Sequence, residues 1–356
     1  MPDLHNSYLF HLIEQEEEPI RHNGNGSAGQ GLVGIARLAA QGEFVRPGHN
    51  VQYFTLEARS LLNRCSAPRM PFKWTINPYR GCEFACKYCY ARYTHEYMEM
   101  RDGLDFERKI YIKQQAAWLL RRDLRKVKRG EPIAIGTATD PYQPAERQHR
   151  VTRAILEELA LHEGFEIGIV TKSDLILRDR DVLARVAEQN RLYVNLTVTT
   201  LDARLARLLE PRAPRPDLRL RAVEELNRAG IDAGVICAPV LPGITDSEES
   251  LEALVAATKE AGGKNIFASP LFLKPCSAAV FLPFLEREFP ALVEQYRERY
   301  ASRAFVSEAY RRDLAKRMAK LREKYGICFE REPRPPAQKA NDAAAAQLPL
   351  FEAAGD

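Results

Sequence analysis

Three of the seven cysteines in this 356-residue chain fall within eight residues. They are Cys82, Cys86 and Cys89, in the run Asn77-Pro-Tyr-Arg-Gly-Cys82-Glu-Phe-Ala-Cys86-Lys-Tyr-Cys89-Tyr-Ala-Arg92. Thiolates at this spacing bind soft metals, and the number of ligands decides which site they can make. A structural zinc ion wants four closed protein ligands, and here Cys65 or His95 would have to supply the fourth. A purely structural iron–sulfur cluster also wants four cysteines. Three thiolates in one tight loop suit a four-iron cluster whose fourth iron stays open to a small molecule.

The elements around this loop alternate. Lys73–Asn77 reads as a short strand running into the cysteines, and Pro132–Gly136, Glu166–Thr171, Leu192–Val198, Asp232–Ala238 and Asn265–Ala268 read as further apolar strands. Helices are predicted between them over 115–129, 147–162, 179–189, 202–209, 218–229 and 246–261, with Asp179 and Thr245 or Asp246 as N-caps. Near-continuous apolar strands alternating with helices predict a parallel sheet covered outside by helices. About six β/α units are too few for a closed eight-stranded barrel. Three more helices, 281–289, 290–300 and 306–325, are expected to cap the open side.

In parallel α/β proteins, chemistry gathers in the loops at the C-terminal strand ends. Besides the cysteines, those loops carry Thr139 and Asp140, Lys172 with Arg178 nearby, Thr197 and Thr199, and the backbone around Ala238 and Val240. Each has a plainer role open to it. Glu146 suits a helix N-terminus, Thr200 or Asp202 can cap the next helix, and Arg178 can pair with an acid. Cys237 and Cys276 read as small buried residues.

The cysteine spacing, with Tyr88 before the last cysteine, resembles the signature of the radical S-adenosylmethionine (SAM) superfamily. Asn77-Pro-Tyr-Arg-Gly-Cys, Thr139-Asp-Pro-Tyr-Gln-Pro, Val170-Thr-Lys-Ser, Leu209-Glu-Pro-Arg and Leu241-Pro-Gly-Ile together resemble its bacterial photolyase-like group, related to spore photoproduct lyase. The resemblance covers roughly residues 50–330. It implies a partial (βα)6 TIM-type barrel and a [4Fe-4S] cluster on Cys82, Cys86 and Cys89. An external one-electron reductant would drive cleavage of SAM to methionine and a 5′-deoxyadenosyl radical. Tyr88 would lie over the cluster or the adenine, Thr139 and Asp140 would meet the SAM ammonium, and Lys172 its carboxylate. Thr197 and Thr199 would meet the ribose, and Ala238 the adenine edge. Spore photoproduct lyase carries a hydrogen-donating cysteine where Thr137 stands here, so the resemblance implies SAM cleavage but not the lyase reaction. It points to a nucleic-acid substrate and DNA repair. A tRNA, peptide or metabolite substrate is the alternative, and a non-catalytic cluster protein bound to DNA or a clamp is the third reading.

Composition bounds the rest. A 45% hydrophobic and 28% charged chain is ordinary for a globular protein, and its net charge of +4 says little about partners. The basic runs at 121–129 and 311–324 are read as solvated helix faces, or as phosphate contacts. No window is apolar enough to span a membrane and no secretory signal opens the sequence, so the expectation is cytoplasmic. Scattered cysteines in odd number argue against disulfides. The expected organisation is a mostly disordered segment 1–45, the barrel at 46–270, a helical extension at 271–330 and a disordered tail at 331–356. In that tail, Gln347, Leu348, Leu350 and Phe351 resemble the short peptide with which bacterial repair and replication proteins dock on the DNA sliding clamp.

Overall fold

The computed structural model describes residues 32–48, 50–65 and 70–327. Its strands are β1 (Phe44–Gly48), β2 (Val51–Leu56), β3 (Leu62–Arg64), β4 (Trp74–Ile76), β5 (Tyr79–Arg80), β6 (Lys109–Lys113), β7 (Pro132–Ile135), β8 (Glu166–Thr171), β9 (Arg191–Thr197), β10 (Asp232–Val240) and β11 (Ile266–Pro270). The large sheet has seven strands in the order β11-β10-β9-β8-β7-β4-β3. β4, β7, β8, β9, β10 and β11 run parallel in chain order, and β3 adds antiparallel to the edge. The sheet does not close, as a partial (βα)6 barrel requires. β2, β6 and β5 with β1 form a second sheet of four strands, and one of its faces shares the main core through Val51, Tyr53, Tyr79, Ile110 and Ile112.

Apolar alternation explains the layers. In β8 the buried positions are Ile167, Ile169 and Thr171, and in β9 nearly every residue is buried, as expected for strands covered on both sides. Among the described residues no helix is long and apolar enough to cross a membrane. Upstream of residue 46 the helix Gly34–Ala40 packs Ala39 against Leu56 and Tyr111.

Four local expectations are corrected. The helix predicted over 147–162 is two helices, Glu146–His149 and Val151–Leu159, broken at Arg150 with φ +50°. The break lets the buried Glu146 carboxylate accept the amides of Thr152 and Arg153 at the start of the second helix. Asp179 precedes the helix Arg180–Gln189 without capping it, because Arg153 and Arg178 take its carboxylate. Ser247, not Thr245 or Asp246, caps the helix Glu248–Glu260. Thr245 instead receives the Leu241 amide, and Asp246 receives the Gly243 amide and the Tyr310 hydroxyl.

The fourth correction concerns the C-terminal helices. Pro275–Glu288 lies over the cysteine loop, where Ser277 donates to the Cys89 carbonyl at 2.8 Å. The last helix, Glu308–Tyr325, joins the outer layer instead. Its Leu314, Met318 and Leu321 share the main core with Leu251, Leu254 and Ile266. Its apolar stripe lies beside the helix Glu248–Glu260 and against β11, the edge strand of the open sheet.

Candidate active site

The cysteine loop leaves β5 at Gly81, whose φ of +80° suits glycine, and an added Cβ would stand 2.6 Å from the Lys109 carbonyl. The loop's backbone is tied down along its length. The Gly81 carbonyl accepts from Thr139 Oγ1 at 2.6 Å and Gln143 Nε2 at 3.1 Å. The Cys82 amide donates to Phe106, and the Lys87 amide to Leu209, both at 2.9 Å. The fully buried Arg92 donates to the Cys86 carbonyl at 2.9 Å and pairs with Glu107 at 2.7 Å. Glu83, also buried, receives Tyr53 at 2.6 Å and the Ala145 amide at 2.7 Å. Residues from β2, the β7 loop and two helices therefore fix one short segment.

Burial pushes all three thiols up, Cys86 to about 12, and they raise one another further where they face each other. Metal binding would have to drive their protons off. Among the described residues, no three Cys, His, Asp or Glu side chains converge as ligands on one ion. A mononuclear zinc site needs such convergence. A four-iron cluster binds each thiolate through a different iron, so its cysteines need only surround a shared space. The two candidate fourth ligands stand elsewhere. The Cys65 amide donates to the Lys73 carbonyl, just before β4, and His95 sets its ring against the Lys109 carbonyl at 3.1 Å. The donor set fits the cluster and leaves one iron open.

Polar groups from the ends of β7 and β8 border the loop. Asp140, after β7, accepts from Thr171 Oγ1 at 2.6 Å, the Lys172 amide at 2.7 Å and the Tyr142 amide at 2.9 Å. Burial nonetheless raises its pKa. Lys172, after β8, places its ammonium 5.8 Å from the centre of the Tyr88 ring. Burial disfavours its charge, but Cys86, Glu210 and Asp140 outweigh burial and raise its pKa. Ala238 lies where the β10–β11 register shifts, between Cys237 and Val240, so its backbone stands outside the regular ladder. Such irregularities free backbone groups for other partners.

Other candidates are already engaged. The Thr139 hydroxyl braces Gly81 and accepts from Gln143, which makes it a support of the cysteine loop. Thr199 donates to Glu210 at 3.3 Å, leaving it lone pairs only, and the Thr197 carbonyl accepts from Arg219 at 2.9 Å. Arg178 pairs with Glu146 and Asp179, both at 2.8 Å. Cys237 is buried in the core, and Cys276 lies beside Ser277 on the helix over the loop. Asp202 caps its helix as expected. Gln347, Leu348, Leu350 and Phe351 lie outside the described residues.

The sequence reading missed Glu210 and Arg219. Both are almost fully buried, with Arg219 Nη2 2.5 Å from Glu210 Oε2. Tyr88 donates its hydroxyl to Glu210, so the ring between Cys86 and Cys89 is anchored by this pair. The signal available was Leu209-Glu-Pro-Arg, noted as a block but with no role given to its acid.

Comparison with known proteins agrees with this geometry. The family model for the radical SAM superfamily matches residues 76–255. An uncharacterized protein of Mycobacterium tuberculosis is 35% identical over 310 residues, 86% of this chain and 90% of that one. An uncharacterized protein of Methanocaldococcus jannaschii is 27% identical over 258 residues, 72% and 92% of the two chains. A spore photoproduct lyase variant with bound AdoMet and dinucleoside spore photoproduct shares the fold, with a TM-score of 0.59 over 85% of each chain at 15% identity. With its three-cysteine loop, open (βα)6 sheet and family match, the chain belongs to the radical SAM superfamily, whose enzymes use a [4Fe-4S] cluster and S-adenosylmethionine.

Proposed function

We propose that this radical SAM enzyme acts on nucleic acid, on a base or a base lesion, in DNA repair. When bound and reduced, the cluster with SAM supplies a 5′-deoxyadenosyl radical that abstracts a hydrogen atom. Cys82, Cys86 and Cys89 hold the cluster, Asp140 and Lys172 answer the charges of SAM, and Tyr88 offers it an apolar face.

The observation that carries the nucleic-acid reading is a row of rings and one cation bordering the cysteine loop. Tyr90 follows Cys89, is 38% exposed, and donates its hydroxyl to the Thr137 carbonyl. Its ring lies 6.4 Å from Phe272, which packs on Phe305 at 4.6 Å. Lys274 stands 4.2 Å over the Tyr93 ring, and Tyr93 meets Tyr97 at 5.8 Å. Tyr90 and Tyr97 are the exposed rings, Phe272 and Phe305 being buried behind Tyr90, and exposed rings beside a cation suit stacked bases and their phosphates. The fold likeness to a lyase crystallised with a dinucleoside photoproduct supports the same reading.

Deuterium-labelled DNA, RNA and peptide pools offered to reconstituted enzyme provide the test. Transfer of deuterium into 5′-deoxyadenosine from a nucleic-acid pool is expected. Transfer from the peptide pool alone would overturn the reading.

The tail is proposed to tether the enzyme to the DNA sliding clamp, an extended apolar peptide being suited to shallow pockets. Leu350→Ala with Phe351→Ala is expected to abolish retention on immobilised clamp. Failure of the unaltered protein to bind the clamp would end that idea.

A further inference from the structure

On the outer face of the four-stranded sheet stand two basic side chains that have no salt-bridge partner among the described residues. β5 and β6 pair Tyr79 with Ile112 and Arg80 with Tyr111. Lys113 therefore stands on the same face as Arg80, as its diagonal neighbour, a relation that places Cα atoms about 7–8 Å apart. Lys113 is only 6% exposed. Burial first, and then the Arg80 charge, lower its pKa to about 7. Arg80 makes one long bond, Nη1 to the Thr94 carbonyl at 3.4 Å, while its buried Nε has no partner. Its other electrostatic neighbours are Tyr93 and Tyr97.

The surrounding charges are settled. Lys109 pairs with Asp105 at 3.1 Å and Arg92 with Glu107 at 2.7 Å. His95 has one ring nitrogen on the Lys109 carbonyl, and burial holds it neutral. Arg80 therefore has one long bond for its charge, and Lys113 is fully charged only when an anion stands beside it, because an unpaired buried charge costs several kcal/mol.

We propose that Arg80 and Lys113 bind a phosphate group as inorganic phosphate or a phosphate monoester. Such a group carries about −1.5 to −2 at neutral pH and so answers both cations, whereas a carboxylate answers one. The planar guanidinium fork of Arg80 matches phosphate oxygens, and Lys113 adds a point charge. Arg80 lies two residues before Cys82, and Thr94 lies five after Cys89. A bound phosphate would therefore sit between the two flanks of the cysteine loop. Its source is either a free phosphate compound or the 5′-terminal phosphate of a polynucleotide, and only the second rests on the nucleic-acid reading.

Isothermal titration of the full-length protein with inorganic phosphate tests the site. Lys113→Met keeps the aliphatic volume and removes a buried ammonium, so it folds at least as stably as the parent without phosphate, and Arg80→Gln provides a second variant. Each should weaken phosphate binding roughly ten- to a hundredfold, the worth of one charged hydrogen bond. Lys113→Met binding phosphate within about threefold of the parent, no binding by the parent, or equal affinity for acetate would each overturn the proposal. Competition by a 5′-phosphorylated but not a 5′-hydroxyl oligonucleotide assigns the source to nucleic-acid ends. Competition by adenosine monophosphate alone assigns it to a free compound and leaves the site standing.

Discussion

Cys86→Ala abolishes reductive cleavage of SAM and iron incorporation while costing about 1 kcal/mol of stability or less, the ordinary cost of a small truncation. The loop explains why the two effects separate. Arg92 holds the Cys86 carbonyl, the Lys87 amide bonds Leu209, and Ser277 holds the Cys89 carbonyl. All three bonds use loop backbone, which alanine keeps. What alanine removes is a buried thiol, one of the three proposed donors, and a cluster with an open iron would have no spare protein ligand. Cys82→Ala and Cys89→Ala should behave alike. Chromatography of 5′-deoxyadenosine, iron analysis after anaerobic reconstitution and a thermal melt check all three quantities. Undiminished deoxyadenosine release would remove the residue from the ligand set.

The cysteine loop and the strand order were legible in the sequence because both are local patterns. Spacing of soft ligands and runs such as Glu166-Ile-Gly-Ile-Val-Thr171 carry their meaning within a few residues. Asp140 and Lys172 were also legible, since a charged residue at the end of an apolar strand has few places to go. Thr139 has a task in the structure that the sequence did not show. That its hydroxyl braces Gly81 depends on how the β7 loop folds over the cysteines, a pairing 58 residues apart in sequence. Glu210 and Arg219 stayed hidden for the same reason. A Glu-Pro-Arg turn looks like surface chain until a helix supplies a buried guanidinium beneath it. Asp179 was misread as a cap because capping is the local default, and here the adjacent Arg178 and Arg153 from another helix take its carboxylate.

Glu210 with Arg219 makes the second large prediction, and a double-variant cycle can separate its two roles. Burial works against the Glu210 charge, but Arg219 and Lys172 outweigh burial and hold its pKa below the usual carboxylate range. Burial and the Glu210 charge push Tyr88 well up, so its hydroxyl stays protonated and donates. Glu210→Ala strands the Arg219 guanidinium with only the Thr197 and Pro214 carbonyls. Breaking a buried pair in this way costs about 3–5 kcal/mol, a fall in melting temperature of roughly 4–7 °C for a protein of this size. Glu210→Met combined with Arg219→Met removes both charges and should recover more than half of that loss, since apolar replacement of a buried pair is often neutral. Cleavage of SAM should not recover with it. The double variant still lacks the anchor for the Tyr88 hydroxyl and the negative charge facing Lys172, so deoxyadenosine formation should remain depressed about ten- to a hundredfold, the worth of a charged hydrogen bond. A pair that merely stabilised the fold would let activity return along with the melting temperature. Recovery of both in the double variant would therefore reduce Glu210 to a structural residue, whereas recovery of stability alone identifies it as the residue that positions Tyr88 between Cys86 and Cys89.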